Sequence, residues 1–309
     1  MPDFDVVGVG LNATDTLLAV PHFPAYAGKA RIEEEILSPG GQVASALVAC
    51  ARLGLRVKYI GTVGDDERGR IQMDSLRGSG IDLEHLFVRT NCPNQSAYIV
   101  IDRSTGERTI FWRRDDCLRL NPEEIEPAQI ARARLLLIDG HDTAAVARAA
   151  QIARQQRIPV VVDVDSLYPG FERVLENTDY LVGSSEFPAA FTGERDGFRA
   201  LALIQGHYGM RVAAMTLGAH GALAREDGKY TYSPAFVVNS VDTTGAGDVF
   251  RGAFAAGCLR LAPADGDLED ALDYASAAAA LNCRALGAQG GLPTPAEVDR
   301  LLLSAPNRV

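Results

Sequence analysis

The sequence predicts an α/β fold: a mainly parallel central sheet covered by helices, with a small β-sheet lid. Three observations lead there. Short apolar runs such as Leu135–Asp139 and Pro159–Asp165 have the length of buried strands. Segments of helical periodicity separate them, and strands alternating with helices imply a parallel sheet covered on both faces. Two stretches break the alternation, Thr14–Glu35 and the region around Ser96–Arg113, and these are assigned to the lid.

Taken in order, Asp5–Gly10 is a buried-strand run, and Thr14–Glu35 is irregular and proline-bearing. Gln42–Leu53 repeats its apolar residues at helical spacing and stops at Gly54. RVKYIGTVG (Arg56–Gly64) is a strand, and Arg68–Ser79 a helix stopped by Gly80. Ser96–Asp102 and Glu107–Arg113, joined through Ser104–Thr105–Gly106, form a hairpin. Strand Leu135–Asp139 then precedes a helix ending near Arg157, and strands Pro159–Asp165 and Asp179–Gly183 follow. A helix over Asp196–His207, a strand at Val212–Gly218 and a hairpin through Asp227–Gly228 come next. Two alanine-rich helices and a last helix from Pro295 close the chain. No repeat or low-complexity linker divides it. One domain over 1–309 is therefore expected, its lid formed by about 14–35 and 95–114. In such sheets ligands bind beyond the carboxyl ends of the strands.

A formal net charge of -10 excludes a nucleic-acid binder, which needs a basic face. No stretch is long and apolar enough for a bilayer span. The N-terminus has no basic region of the kind that opens a signal peptide. The five cysteines are scattered, without a CxxC pair or a histidine cluster. They are expected as reduced thiols of a cytoplasmic protein rather than zinc ligands.

VDTTGAGDVFRGAF (Val241–Phe254) is the densest chemical signal. A glycine-rich turn entering a helix offers converging N–H donors and a positive helix end, which suit phosphate. Helix capping alone accounts for Asp248. It does not account for Asp242, Thr243 and Thr244 ahead of the turn. If Gly245, Ala246 and Gly247 direct N–H groups at a γ-phosphate, Asp248 stands where a base would take a proton from an attacking hydroxyl.

This stretch resembles the second signature of the ribokinase/PfkB family of carbohydrate kinases, and the resemblance spans nearly the whole chain. GLNATDTL (Gly10–Leu17) is similar to the family's opening strand, and SPGGQVASALVACARLG (Ser38–Gly54) to its glycine-pair signature. TLGAHGA (Thr216–Ala222) resembles the nucleotide loop and RALGAQGGLP (Arg284–Pro293) the closing loop. The resemblance implies a ribokinase-like three-layer fold and an ATP-dependent kinase that transfers the γ-phosphate to a hydroxyl of a small sugar. Asp248 would be the general base, with Gly245, Ala246 and Gly247 as the anion hole. Asp15, Gly40, Gly41, Gln42, Ser45 and Asp139 would face the sugar. Thr216, Gly218, Gly221 and Asn282 would face the nucleotide, with Asn282 near the adenine. Glu186 would hold Mg²⁺ through water. Asp242 and carbonyls at Thr244, Cys283 and Ala288 match a site for a monovalent cation, K⁺, in some members. Lids in this family often pair, so a homodimer through the lid is expected.

Two positions depart from the pattern. Ser45 stands where the family usually has Asn, and Gly183–Ser184–Ser185–Glu186 keeps the glutamate of the metal-side motif but not its Asn. LNCRALGAQGGLP (Leu281–Pro293) and VVVDVDS (Val160–Ser166) are most similar to the ketohexokinase and sulfofructose-kinase branches, so a ketose-like sugar is favoured. The lid carries Lys29, Arg31, Arg108, Arg113 and Arg114. The ordinary reading is a solvated strand edge. The alternative is that Lys29 and Arg113 clamp an anionic sugar, a phosphate or sulfonate. From other classes, a catalytically silent sugar or nucleotide sensor lacks a reason to retain Asp248. GVGLNA (Gly8–Ala13) is too incomplete a glycine fingerprint for a dehydrogenase. His141 and Trp112 each have a bland reading, loop lining and lid core, beside substrate contact.

Overall fold

The apolar runs pair as their alternation requires, side chains at successive positions turning to opposite faces. The computed structural model describes residues 2–261 and 267–304. Its strands are β1 (Phe4–Val9), β2 (Ala13–Val20), β3 (Glu34–Gly40), β4 (Val57–Gly64), β5 (Asp82–Arg89), β6 (Ser96–Asp102) and β7 (Arg108–Arg113). They continue as β8 (Ala133–Ile138), β9 (Val160–Val164), β10 (Tyr180–Gly183), β11 (Val212–Thr216), β12 (Ala222–Glu226) and β13 (Lys229–Ser233). The helices are α1 (Gln42–Arg52), α2 (Glu67–Gly78), α3 (Pro127–Ile130), α4 (Thr143–Gln155) and α5 (Glu172–Leu175), then α6 (Phe187–Thr192), α7 (Gly197–Tyr208), α8 (Ala246–Leu261), α9 (Leu268–Asn282) and α10 (Pro295–Leu303).

Nine strands form the large sheet, in the order β13-β12-β11-β10-β9-β8-β1-β4-β5. All neighbours from β11 to β5 are parallel, and only β12 and β13 run antiparallel. Leu135 and Leu137 enter the core formed with α1, α8 and α9, whereas Leu136 and Ile138 enter the one formed with α4 and α7. The helices α1 and α8 approach closely because Gly252 has no side chain: a Cβ there would lie 2.3 Å from the Ala46 carbonyl oxygen.

A second sheet, β3-β2-β6-β7, stands apart. Leu17, Ala97, Ile99 and Ile101 form its buried apolar cluster, with Ile36 and Leu286 packed on them. Leu286 comes from the closing loop, so this face is the inner one. It extends past the predicted limit at Glu35, since β3 runs to Gly40.

Two features correct the sequence reading. β5 was not anticipated: its polar DLEHLFVR sits at the sheet edge, where only one neighbour constrains it. Cys92 and Cys117, expected as free thiols, are joined in a disulfide. Their separation of 25 residues matches no spacing rule, because the hairpin β6–β7 lies between them and its closure brings them together. Cys50, Cys258 and Cys283 are free.

Candidate active site

The candidate residues converge where the parallel strands end. Asp139 follows β8, Asp163 lies in β9 and Asp165 follows it, Glu186 follows β10, and Thr216 ends β11. Asp248 occupies the first turn of α8. From the small sheet, Asp15 shares the inner face with Leu17, since residues two apart point the same way.

Local geometry explains the glycines around them. Gly41 has φ 92° and precedes α1, and a Cβ there would lie 2.5 Å from the Asn12 Cα. A Cβ on Gly40 would lie 2.2 Å from Asp15 Oδ2, so the glycine pair makes room for that carboxylate. Gly245 has φ 73°, and a Cβ on it would meet Ala288 at 2.5 Å. The phosphate-type turn is therefore pressed against the closing loop.

The carboxylates are held with care. Asp139 is fully buried and accepts from the backbone N–H of Leu11 at 2.7 Å and of His141 at 2.8 Å. Burial still pushes its carboxyl above the usual range. Burial likewise raises Asp15 to about 7, opposed by the Arg68 guanidinium. Asp248 is raised to about 7: burial leads, Arg251 pulls it down, Asp165 and Asp15 push it up, and Arg108 pulls it down. A carboxyl poised there exchanges a proton near neutral pH, the property a general base needs.

Of the residues expected to face a nucleotide, Thr216 is half-buried and donates weakly to the Gly183 carbonyl at 3.4 Å. Gly218 is exposed and begins a tight 3-10 turn, while Gly221 (φ 91°) is buried against the Ser233 carbonyl. Glu186 is exposed, accepts from the Ser185 hydroxyl at 2.7 Å, and is held below its usual range by that bond. An ionised, exposed carboxylate is a fitting outer ligand for a hydrated Mg²⁺.

Other expectations need correcting. Asn282 is fully buried, and its amide donates to the Ala288 carbonyl at 3.1 Å and the Thr244 carbonyl at 3.5 Å. It braces the Thr244 turn against the closing loop. Asp242 spends both oxygens on backbone N–H groups, of Thr244 and Gly287, each at 2.8 Å. The Cys283 carbonyl accepts from Val241 and Asp242. The oxygens expected to hold K⁺ thus already accept from N–H groups of Val241, Asp242, Thr244, Asn282 and Gly287. Ser45 is fully buried under Gln289, whose amide lies 3.4 Å from its hydroxyl. Gln42 is buried, with Oε1 unpartnered.

Neither basic residue chosen for an anion clamp is brought to the site. Lys29 is exposed in the segment between β2 and β3. Arg113 pairs with Ser96 across the hairpin, hence on the outer face, and reaches Asp115 at 3.5 Å. Arg108 opposes Ile101 on the inner face, and its Nη1 donates to the Thr243 hydroxyl at 2.6 Å. The signal for it was available, since period-two alternation separates Arg108 from Arg113. Sequence reasoning also missed Asp165, which accepts from the Tyr168 hydroxyl at 2.8 Å, and the pair Asp163–Arg251. Asp163 and Asp165 lie in VVVDVDS and Arg251 in VDTTGAGDVFRGAF, but the pairing of Asp163 with Arg251 joins two elements far apart in the chain.

Comparison with known proteins agrees with this geometry. A profile of the pfkB family carbohydrate kinases matches residues 5–295. The ribokinase of Bacillus subtilis (strain 168) is 31% identical over 273 residues, covering 85% of this chain and 87% of that one. The ATP-dependent ribose-1-phosphate kinase of Halopiger xanaduensis is 30% identical over 305 residues, covering 96% and 97%. The crystal structure of ribokinase from Thermotoga maritima superposes with a TM-score of 0.81 at 25% identity, covering 97% of this chain and 99% of that one.

Proposed function

The chain belongs to the pfkB family of carbohydrate kinases, and on that footing we propose that it transfers the γ-phosphate of ATP to a hydroxyl of a small sugar, with Asp248 as general base. The observation that carries this reading is Asp248 itself. It is a carboxyl raised to about 7, on the first turn of a helix entered through Gly245–Ala246–Gly247. In the proposed reaction Asp248 takes the hydroxyl proton, the oxygen bonds to the γ-phosphorus, and the bond to the ADP oxygen breaks. The N–H groups of the turn meet the charge that develops on the phosphoryl oxygens. Asp15 and Asp139 orient the sugar by accepting from its hydroxyls. Mg²⁺ arriving with the nucleotide would neutralise phosphate charge, with Glu186 as its water-mediated holder.

The small sheet acts in this reading as a lid that excludes water, because exposed ATP would be hydrolysed without transfer. Its strand β7 is exposed along its whole length and carries Ile110, Phe111 and Trp112. An open, apolar sheet edge of this kind favours pairing with a second copy, so a homodimer through the lid is part of the proposal. A cytoplasmic setting is proposed with it; among the described residues no helix is long and apolar enough to cross a membrane.

A ketose is the first acceptor to test, from the motif resemblance. A sugar bearing an anionic group is the second, because Arg108 brings a guanidinium to the inner face of the lid. An ADP-release screen over ketoses, aldoses, sugar phosphates and sulfosugars decides between them. Activity with one class, lost in Asp248→Asn, is the expected result. ADP release that no sugar stimulates contradicts the proposal.

A further inference from the structure

Arg251 lies one helical turn beyond Asp248, and its side chain is only 5% exposed. Its Nε sits 2.7 Å from Oδ1 of Asp163, itself fully buried, and 3.3 Å from the Val182 carbonyl oxygen. The other end of the guanidinium reaches the turn above: Nη1 lies 2.4 Å from where a Cβ on Gly247 would be. The group therefore spans from the end of the sheet to the underside of the anion-binding turn. Space-filling is a poor explanation. An apolar pair of similar volume would be as stable as a buried ion pair, and a cation near a helix N-terminus opposes the helix dipole.

We infer that Arg251, braced by Asp163, is a positioning residue that keeps Asp248 ionised and fixes the Gly247 turn beside it. The charges facing Asp248 give the reason. Asp163 and Asp165 approach from the end of β9 and Asp15 from β2, each opposing a charge on Asp248 when ionised, while burial holds Asp163 itself well above the usual range against the pull of Arg251. Arg108 approaches from β7, on the separate small sheet. Arg251 is on the same helix as the base and stays. Without it a buried carboxylate among carboxylates would hold its proton through neutral pH. Even with Arg251 in place Asp248 stands at about 7, and Arg251 is the largest influence opposing burial.

This rests on Asp248 being the base, and the test separates the two claims. The acid limb of kcat/KM is measured in wild type, Arg251→Gln and Arg251→Lys, with ATP affinity by calorimetry and thermal midpoints alongside. Arg251→Gln should move the limb up by about one pH unit or more, so that activity at pH 6 falls about tenfold or more. Arg251→Lys keeps the charge and should return most of the shift, while ATP affinity stays unchanged in both. If Arg251→Gln does not fold because Asp163 is stranded, the pair Arg251→Gln/Asp163→Asn removes both charges together. Its limb should also rise, since the guanidinium outweighs the carboxylate at Asp248. A limb that stays in place in a folded variant overturns the inference, whatever the thermal midpoint does. A fully active Asp248→Asn overturns the base assignment instead.

Discussion

Asp15 and Asp248 are raised by burial from 3.8 to about 7, and that shift has a stability consequence opposite in sign to the usual surface carboxylate. Between those values the folded chain holds protons that the unfolded chain has released, so stability falls as pH rises from about 4 to about 7. Above that window the site carries negative charge that the proposed catalysis requires and folding does not. Asp248→Asn should therefore raise the thermal stability of the ligand-free protein at pH 8, by on the order of 1 kcal/mol, and have little effect at pH 5. Equal effects at both pH values would show that Asp248 does not titrate in this window. Asp248, Asp15 and Asp139 were legible in the sequence because each sits in a contiguous motif with glycines whose necessity is local. Arg251, Asp163, Asp165 and Gln289 were not, because their meaning comes from partners on other elements. Asn282 was legible as important, but its amide bonds to the Thr244 and Ala288 carbonyls were not, because those partners lie on two loops.

The small sheet is tied to the rest of the molecule at several points, among them Arg68, which donates to the Thr14 carbonyl and the Thr16 hydroxyl, and two of the ties yield predictions. Arg108 on β7 donates to Thr243, the residue before the Thr244–Gly245 turn. Arg108→Ala should lower kcat/KM by roughly tenfold, the scale of one good hydrogen bond. Folding should be untouched, because β7 is exposed. An unchanged kcat/KM would reduce the contact to a surface bond. The disulfide Cys92–Cys117 brackets the hairpin β6–β7. Closing a loop of this length restricts the unfolded chain by roughly 3 kcal/mol. Cys117→Ser should speed hydrogen exchange in β6 and β7 while β9 to β11 stay protected. Uniform acceleration across both sheets would mean that the bridge stabilises the whole fold rather than the base of the hairpin. The hairpin itself was legible from its alternation and its Ser104–Thr105–Gly106 turn. The bridge was not, because the cysteines meet only after the hairpin has folded.

At the scale of the molecule, the alternation of apolar runs and helical segments announced the parallel sheet, and every strand from β8 to β11 fell where its run predicted. The exception, β5, shows the limit of pattern: an edge strand with charged residues has no inner alternation to read. The fold then assembles the site by bringing strand ends and the N-terminus of α8 to one place, with the small sheet above them. A second copy on the exposed edge β7 predicts a dimer by sedimentation, and Phe111→Glu should shift it to monomer; an unshifted dimer would place the interface elsewhere. The central claim is that this place performs phosphoryl transfer with Asp248 as the base. Its most direct test is to follow sugar phosphate formation by mass spectrometry in wild type and in Asp248→Asn, with ATP affinity measured on the same samples. The account predicts unchanged ATP binding and turnover lower by about 10²–10⁴-fold in the variant. Near-wild-type turnover in Asp248→Asn would contradict it.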